Sequence, residues 1–114
     1  MSDDASIDYR GALEAVERIL NRGGNADEVL GHVLAAVHTR GVASATLRLA
    51  ENGRLVDRLS VGGEAERIVS PVVHEGAEIG SLELAVDDGA FVDRLATLIS
   101  PYVIRLEAET DDGF

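Results

Sequence analysis

Residues 68–84 read Ile68-Val69-Ser70-Pro71-Val72-Val73-His74-Glu75-Gly76-Ala77-Glu78-Ile79-Gly80-Ser81-Leu82-Glu83-Leu84. Two β-branched or aliphatic runs flank a turn centred on Glu75, Gly76 and Ala77, the pattern of an antiparallel hairpin. The second run carries on to Val86, and Leu82, Leu84 and Val86 share one face at a period of two. Pro71 has no N–H to give to a ladder, so the first strand is expected at a sheet edge.

Working upstream, Gly62, Gly63, Glu64, Ala65 and Glu66 form a short link, and before it lies a second alternating pair. Ala45, Leu47 and Leu49 alternate with Thr46 and Arg48; Leu55, Leu59 and Val61 alternate with Val56 and Arg58. Glu51-Asn52-Gly53-Arg54 joins the two runs. A two-residue Asn-Gly loop would set Leu47 opposite Arg58 and split the leucines between faces. A three-residue loop with Gly53 in the left-handed conformation keeps one apolar face, so a bulged hairpin is expected. In that register Arg48 lies opposite Val56 and Arg58 opposite Thr46, which makes the two guanidiniums diagonal neighbours away from the leucines. Asp57 is left on the apolar side.

The flanks change period from 2 to 3.6. Tyr9, Leu13, Val16 and Leu20 predict a helix from Ile7 to Arg22, with Glu14 and Arg18 paired at i, i+4 and Gly23-Gly24 as the stop. Asn25 with Glu28 three residues on predicts a capped second helix, whose apolar stripe is Val29, Leu30, Val33, Leu34 and Val37 and which ends at Gly41. A third helix is predicted from Ala90 to about Glu107. Residues 1–6 and 108–114 read as acidic, flexible ends around an ordered core of 7–107. Helix, helix, hairpin, hairpin, helix makes a single α+β domain.

Composition narrows the chemistry. The chain has 114 residues with 46% hydrophobic and 27% charged, globular values. It contains no Cys, which excludes disulfides, thiol nucleophiles and zinc ribbons. Its ten basic residues are all Arg, and the formal charge of −11 disfavours nucleic acid and anionic membrane surfaces. No run approaches the roughly 20 apolar residues of a membrane span, and the start MSDDAS is unlike a signal peptide, so a cytoplasmic location is expected. His32 and His38 lie about 240° apart around one helix and cannot share a metal. His74-Glu75-Gly76-Ala77-Glu78 lacks the second His of a metalloprotease box. No metal set, phosphate loop or nucleophile elbow is present, so neither catalytic residues nor a cofactor is expected.

The segment Val69-Ser70-Pro71-Val72-Val73, then Glu75-Gly76, then Ile79-Gly80-Ser81-Leu82-Glu83-Leu84 resembles the closing strands of GAF domains, in which a Pro-containing strand precedes a turn and an "iGxLxL" strand. The helix of residues 26–40 followed by the strand of 45–49 resembles their opening. The resemblance implies a four-stranded antiparallel sheet of order 2-1-4-3. The helices from both termini would pack on the face of Leu47, Leu49, Leu59, Leu82 and Leu84. A roadblock or profilin-like domain would want a helix between the hairpins. GAF domains usually cover their ligand pocket with an insert between the second and third strands, and here that connection is about six residues, too few for a lid helix. The Asn-Lys-Phe-Asp-Glu pattern of cyclic-nucleotide binders is absent. Bilin attachment and GAF-type methionine sulfoxide reduction need a Cys.

The resemblance therefore implies a non-catalytic regulatory or signalling module acting through a protein partner or its own copy. The alternative is a sensor that seats a small anionic ligand on Arg48, Arg58, Thr46 and Glu83, because that face lines the pocket in ligand-binding GAF domains; a third reading is a purely structural dimerisation unit. The apolar arc of the last helix is wider than one sheet face requires. GAF domains commonly pair through their first and last helices. Leu13, Val16, Leu20, Leu98, Tyr102 and Ile104 are the expected homodimer contacts.

Overall fold

The computed structural model describes residues 7–111, with side chains through residue 106. The elements are α1 (Tyr9–Arg22), α2 (Ala26–Thr39), β1 (Ser44–Glu51), β2 (Arg54–Gly62), β3 (Ile68–His74), β4 (Ala77–Leu84) and α3 (Gly89–Asp111). The four strands form one antiparallel sheet in the order β2-β1-β4-β3. Pro71 therefore sits on an edge strand, as its missing donor demands. No helix interrupts residues 63–67.

Ala45, Leu47, Leu49, Val72, Leu82 and Leu84 are fully buried on the inner face of the sheet. They meet Val29, Leu30, Val33, Leu34 and Val37 of α2 and Val92, Leu95, Ile99 and Val103 of α3 in one aliphatic core. α2 leans on β1 and β2, α3 on β3 and β4, and α1 lies over α2 and α3 as a third layer. The start of α1 is tied to the end of α2 by the Asp8 N–H donating to the Arg40 carbonyl at 3.0 Å.

The first hairpin corrects the expected turn. Asn52 and Gly53 both have positive φ, 54° and 80°, and Glu51 pairs directly with Arg54. This is the two-residue type I′ loop. The phase is restored four residues later instead: Arg48 pairs with Asp57 and Leu47 with Leu59, leaving Arg58 as the extra residue of a bulge. Burial of Leu47 and Leu59 on one face fixes how many residues must be inserted, not where. Asp57 consequently moves from the apolar side to the outer side, while Leu55 and Val56 beside the turn stay exposed. The second hairpin has a like turn, with Glu75 and Gly76 at φ 53° and 84° and His74 paired with Ala77.

The helix ends differ in detail. Asp8 caps α1, its Oδ1 accepting from the Gly11 N–H at 3.0 Å. Asn25 is the N-cap of α2 but makes no side-chain cap bond, so the expected capping box is not formed. Asp88 Oδ1 accepts from the N–H groups of Ala90 and Phe91 at the start of α3. Among the described residues Glu14 and Arg18 are not within ion-pair distance, although their spacing allows it. α3 continues four residues past Glu107 to Asp111, so 108–111 are helical; residues 1–6 and 112–114, the remainder of the expected flexible ends, lie outside the described residues.

Candidate functional site

The face of the sheet turned away from the helices carries Thr46 and Arg48 of β1, Asp57 and Ser60 of β2, and Ser81 and Glu83 of β4. The register makes neighbours of them: Thr46 lies between Ser60 and Glu83, and Arg48 between Asp57 and Ser81. Glu83 is the hub, 7% exposed although no helix covers it. Its Oε2 accepts a short, charge-assisted bond from Arg48 Nη1, and its Oε1 lies 3.6 Å from Arg67 Nη1. Arg67 also donates to Thr46 Oγ1 at 2.7 Å, and Thr46 Oγ1 lies 3.2 Å from Ser60 Oγ. Arg48 Nε donates to Asp57 Oδ1 at 2.5 Å. That hydrogen bond, followed by the charge of Glu83, holds the Arg48 guanidinium above its ordinary pKa.

Two arginines and two carboxylates thus close the outer face with a network that is electrically balanced. Thr46, Arg48 and Glu83 come together as the sequence suggests. Arg58 does not join them as a diagonal neighbour, because the bulge removes it from the pairing and leaves it exposed. Arg67, which sits in the link just before β3, is a guanidinium of this network that the sequence reading did not single out. Outward parity from Pro71 and Val69 reaches Arg67, but a link residue has no ladder partner from which a face can be read. Ser81 Oγ, buried beside Arg48, and Ser44 Oγ have no hydrogen-bond partner among the described residues.

The expected dimer contacts divide. Val16 is fully buried inside the single chain, so it is core and not surface. Leu13, Leu20, Leu98 and Tyr102 are half-buried along the seam where α1 meets α3. That seam is marked by Tyr9 edge-on to Phe91 at 4.8 Å, Glu17 to Arg94 at 3.9 Å, and the Tyr102 hydroxyl donating to the Leu20 carbonyl at 3.0 Å. Ile104 is half-buried but lies about 200° around α3 from Tyr102, on another side of the helix.

Two hollows lie away from this face. An open cleft of about 660 Å³ is lined by Tyr9, Ala43, Glu66, Val86 and Asp87 among others. There the Tyr9 hydroxyl donates to Asp87 Oδ1 at 2.9 Å, and burial, aided by that carboxylate, pushes the tyrosine pKa up. A groove of about 360 Å³ runs between α1 and α2 and includes His32. His38 Nδ1 is 2.8 Å from the Val42 carbonyl, a contact that anchors the chain after α2. Among the described residues, no three His, Asp or Glu side chains converge on a metal-sized site, and no helix is long and apolar enough to cross a membrane.

No family model matches the sequence, and no curated protein matches it. Solved structures do. The GAF domain of a phosphoenolpyruvate-protein phosphotransferase from Coxiella burnetii superposes with a TM-score of 0.70 at 14% identity, covering 91% of this chain and 99% of that one. The fold is that of a GAF domain. The corresponding GAF domain from Acinetobacter gives 0.69 at 14% identity, over 95% and 97% of the two chains. A type II free methionine-R-sulfoxide reductase from Thermoplasma acidophilum gives 0.61 at 16% identity, over 68% and 92%. This GAF-like domain shares their fold, and its second and third strands are joined by the five-residue link 63–67, whose Arg67 bonds to Thr46 and lies 3.6 Å from Glu83.

Proposed function

We propose that this chain is a non-catalytic regulatory or signalling module that works by association, with a second copy of itself or with a protein partner, along the α1–α3 seam. The observation that carries the reading is the outer sheet face. Its two central arginines are already answered by Glu83 and Asp57, and it is flush with ion pairs where a ligand pocket would need an open cavity. The seam supports the same reading, because Leu13, Leu20, Leu98 and Tyr102 are only half-buried and retain accessible apolar surface. The similar reductase is an enzyme by its name, but this chain has no cysteine, so sulfoxide reduction through a thiol has no residue to run on. Light scattering on the purified chain tests the proposal: a mass above the monomer that falls with Leu98→Glu supports self-association at the seam.

One observation favours a second reading, a sensor for a small anion. Ser81 Oγ is a buried hydroxyl without a partner, directly across the ladder from Arg48. A carboxylate or phosphate that displaced Glu83 from Arg48 could take that hydroxyl as a further donor. A thermal-shift screen against nucleotides and small organic acids separates the readings. A stabilisation lost in Arg48→Ala favours the sensor, and a flat screen favours association.

A further inference from the structure

The cleft beside Tyr9 is walled by four separate segments: the start of α1, the approach to β1, the link 63–67 and the residues that follow β4. At about 660 Å³ it has the size of a small-molecule site. Ile7, Ala85 and Val86 give it an apolar wall. Tyr9, Glu66 and Asp87 are its polar side chains, with no arginine or histidine among the lining residues.

Each of these polar side chains is left as an acceptor. The Tyr9 hydroxyl directs its only proton to Asp87 Oδ1 at 2.9 Å, and a carboxylate has none to give. Three N–H groups of the wall are also engaged: Tyr9 donates to the Ile7 carbonyl at 3.1 Å, Ala85 to that of Ser44 at 3.0 Å and Val86 to that of Leu84 at 2.9 Å. Among the described residues neither Glu66 nor Asp87 has a cation within ion-pair distance. Arg67, the base next to Glu66 in the chain, is held by Thr46 and Glu83. Asp88 caps α3 and adds its negative charge to the field at Tyr9.

The backbone keeps Glu66 at the cleft. β2 and β3 are opposite edges of the sheet, three strand spacings or about 14 Å apart. The six Cα steps from Gly62 to Ile68 reach at most about 21 Å, so the link has little slack. A divalent metal ion is a poor match, since no three His, Asp or Glu side chains converge among the described residues. An organic cation matches both parts of the cleft, bringing N–H donors to the acceptors and hydrocarbon to the apolar wall.

We infer that this cleft binds a small alkylamine or alkylguanidine, its charged head on Asp87 and Glu66 and its stem against Ile7, Ala85 and Val86. The inference goes beyond the association reading and stands whether or not the chain dimerises.

NMR titration of the isotope-labelled full chain, in about 0.15 M salt to screen diffuse attraction to an acidic protein, tests it. One butyl stem carries three heads: n-butylamine, n-butylguanidine and pentanoate. The expected result is saturable shifts of the Glu66, Val86 and Asp87 amides with at least one of the two cations, with Kd on the order of millimolar, and none with pentanoate. Asp87→Asn keeps an acceptor for the Tyr9 hydroxyl and removes only the charge. It should weaken binding at least about threefold, as should Glu66→Gln on the exposed link, and the two together at least about tenfold. If Asp87→Asn does not fold, Glu66→Gln decides the matter. Four results overturn the inference: no saturable shift at these amides with either cation, pentanoate binding as tightly, magnesium chloride reproducing the shifts, or affinity unchanged by the substitutions.

Discussion

Arg48 stands directly across the β1–β2 ladder from Asp57, because the two-residue turn sets Glu51 against Arg54 and the register runs unbroken from there to this pair. That turn puts Asp57 on the outer face as a partner for the central arginine, and the bulge at Arg58 just beyond it returns Leu59 to the inner face opposite Leu47. Arg67, from the link before β3, brings a second guanidinium to within 3.6 Å of Glu83.

Glu83 is therefore the residue whose loss the outer face tolerates least. Glu83→Gln is expected to destabilise the fold by about 1–3 kcal/mol, below the cost of breaking a fully buried pair because both guanidiniums remain partly in water. Arg48→Gln should cost less, since Arg67 stays on Glu83. Urea unfolding of the two variants checks the order, and equal midpoints would contradict the hub role.

Gly80 sits in β4 between Leu49 of β1 and Val72 of β3. A Cβ built there would fall on the carbonyl oxygen of Arg48. Gly80→Ala should cost about 2–3 kcal/mol by forcing the strands apart. Gly53→Ala meets no neighbour but must hold φ at 80°, and should cost about 1 kcal/mol. Thermal unfolding of both distinguishes crowding from backbone strain.

The helix caps should separate in the same way. Asp88→Ala removes an acceptor for two N–H groups of α3 and is expected to cost about 1 kcal/mol. Asn25→Ala removes no side-chain cap bond and should change stability by less than about 0.5 kcal/mol. Paired denaturant curves measure the difference.

Tyr9 gives a pH dependence of known sign. Burial and the bond to Asp87 raise its folded pKa above the unfolded value near 10. The neutral phenol is thus favoured in the folded chain, so the associated stability is complete below pH 10 and is lost as pH rises through the higher folded value. Tyrosinate absorbance should show one tyrosine titrating late, and Tyr9→Phe should remove that component of alkaline destabilisation.

The local patterns alone determined the element types, the edge position of Pro71's strand and the inner face of Leu47, Leu49, Leu82 and Leu84. Each of these follows from local patterning: a run with period two and a buried stripe admits one orientation, and a residue without an N–H admits few positions. The sheet order came from the likeness of residues 69–84 to GAF strands, and the structure bears it out. What only the tertiary structure decided is where the extra residue of the first hairpin lies, because burial counts insertions but does not locate them. That one choice sets Asp57 opposite Arg48 and takes Arg58 out of the ladder. The fate of Val16 was decided the same way: a helix's own sequence shows how wide its apolar arc is, while the layer placed over it determines whether a given residue ends as surface or core.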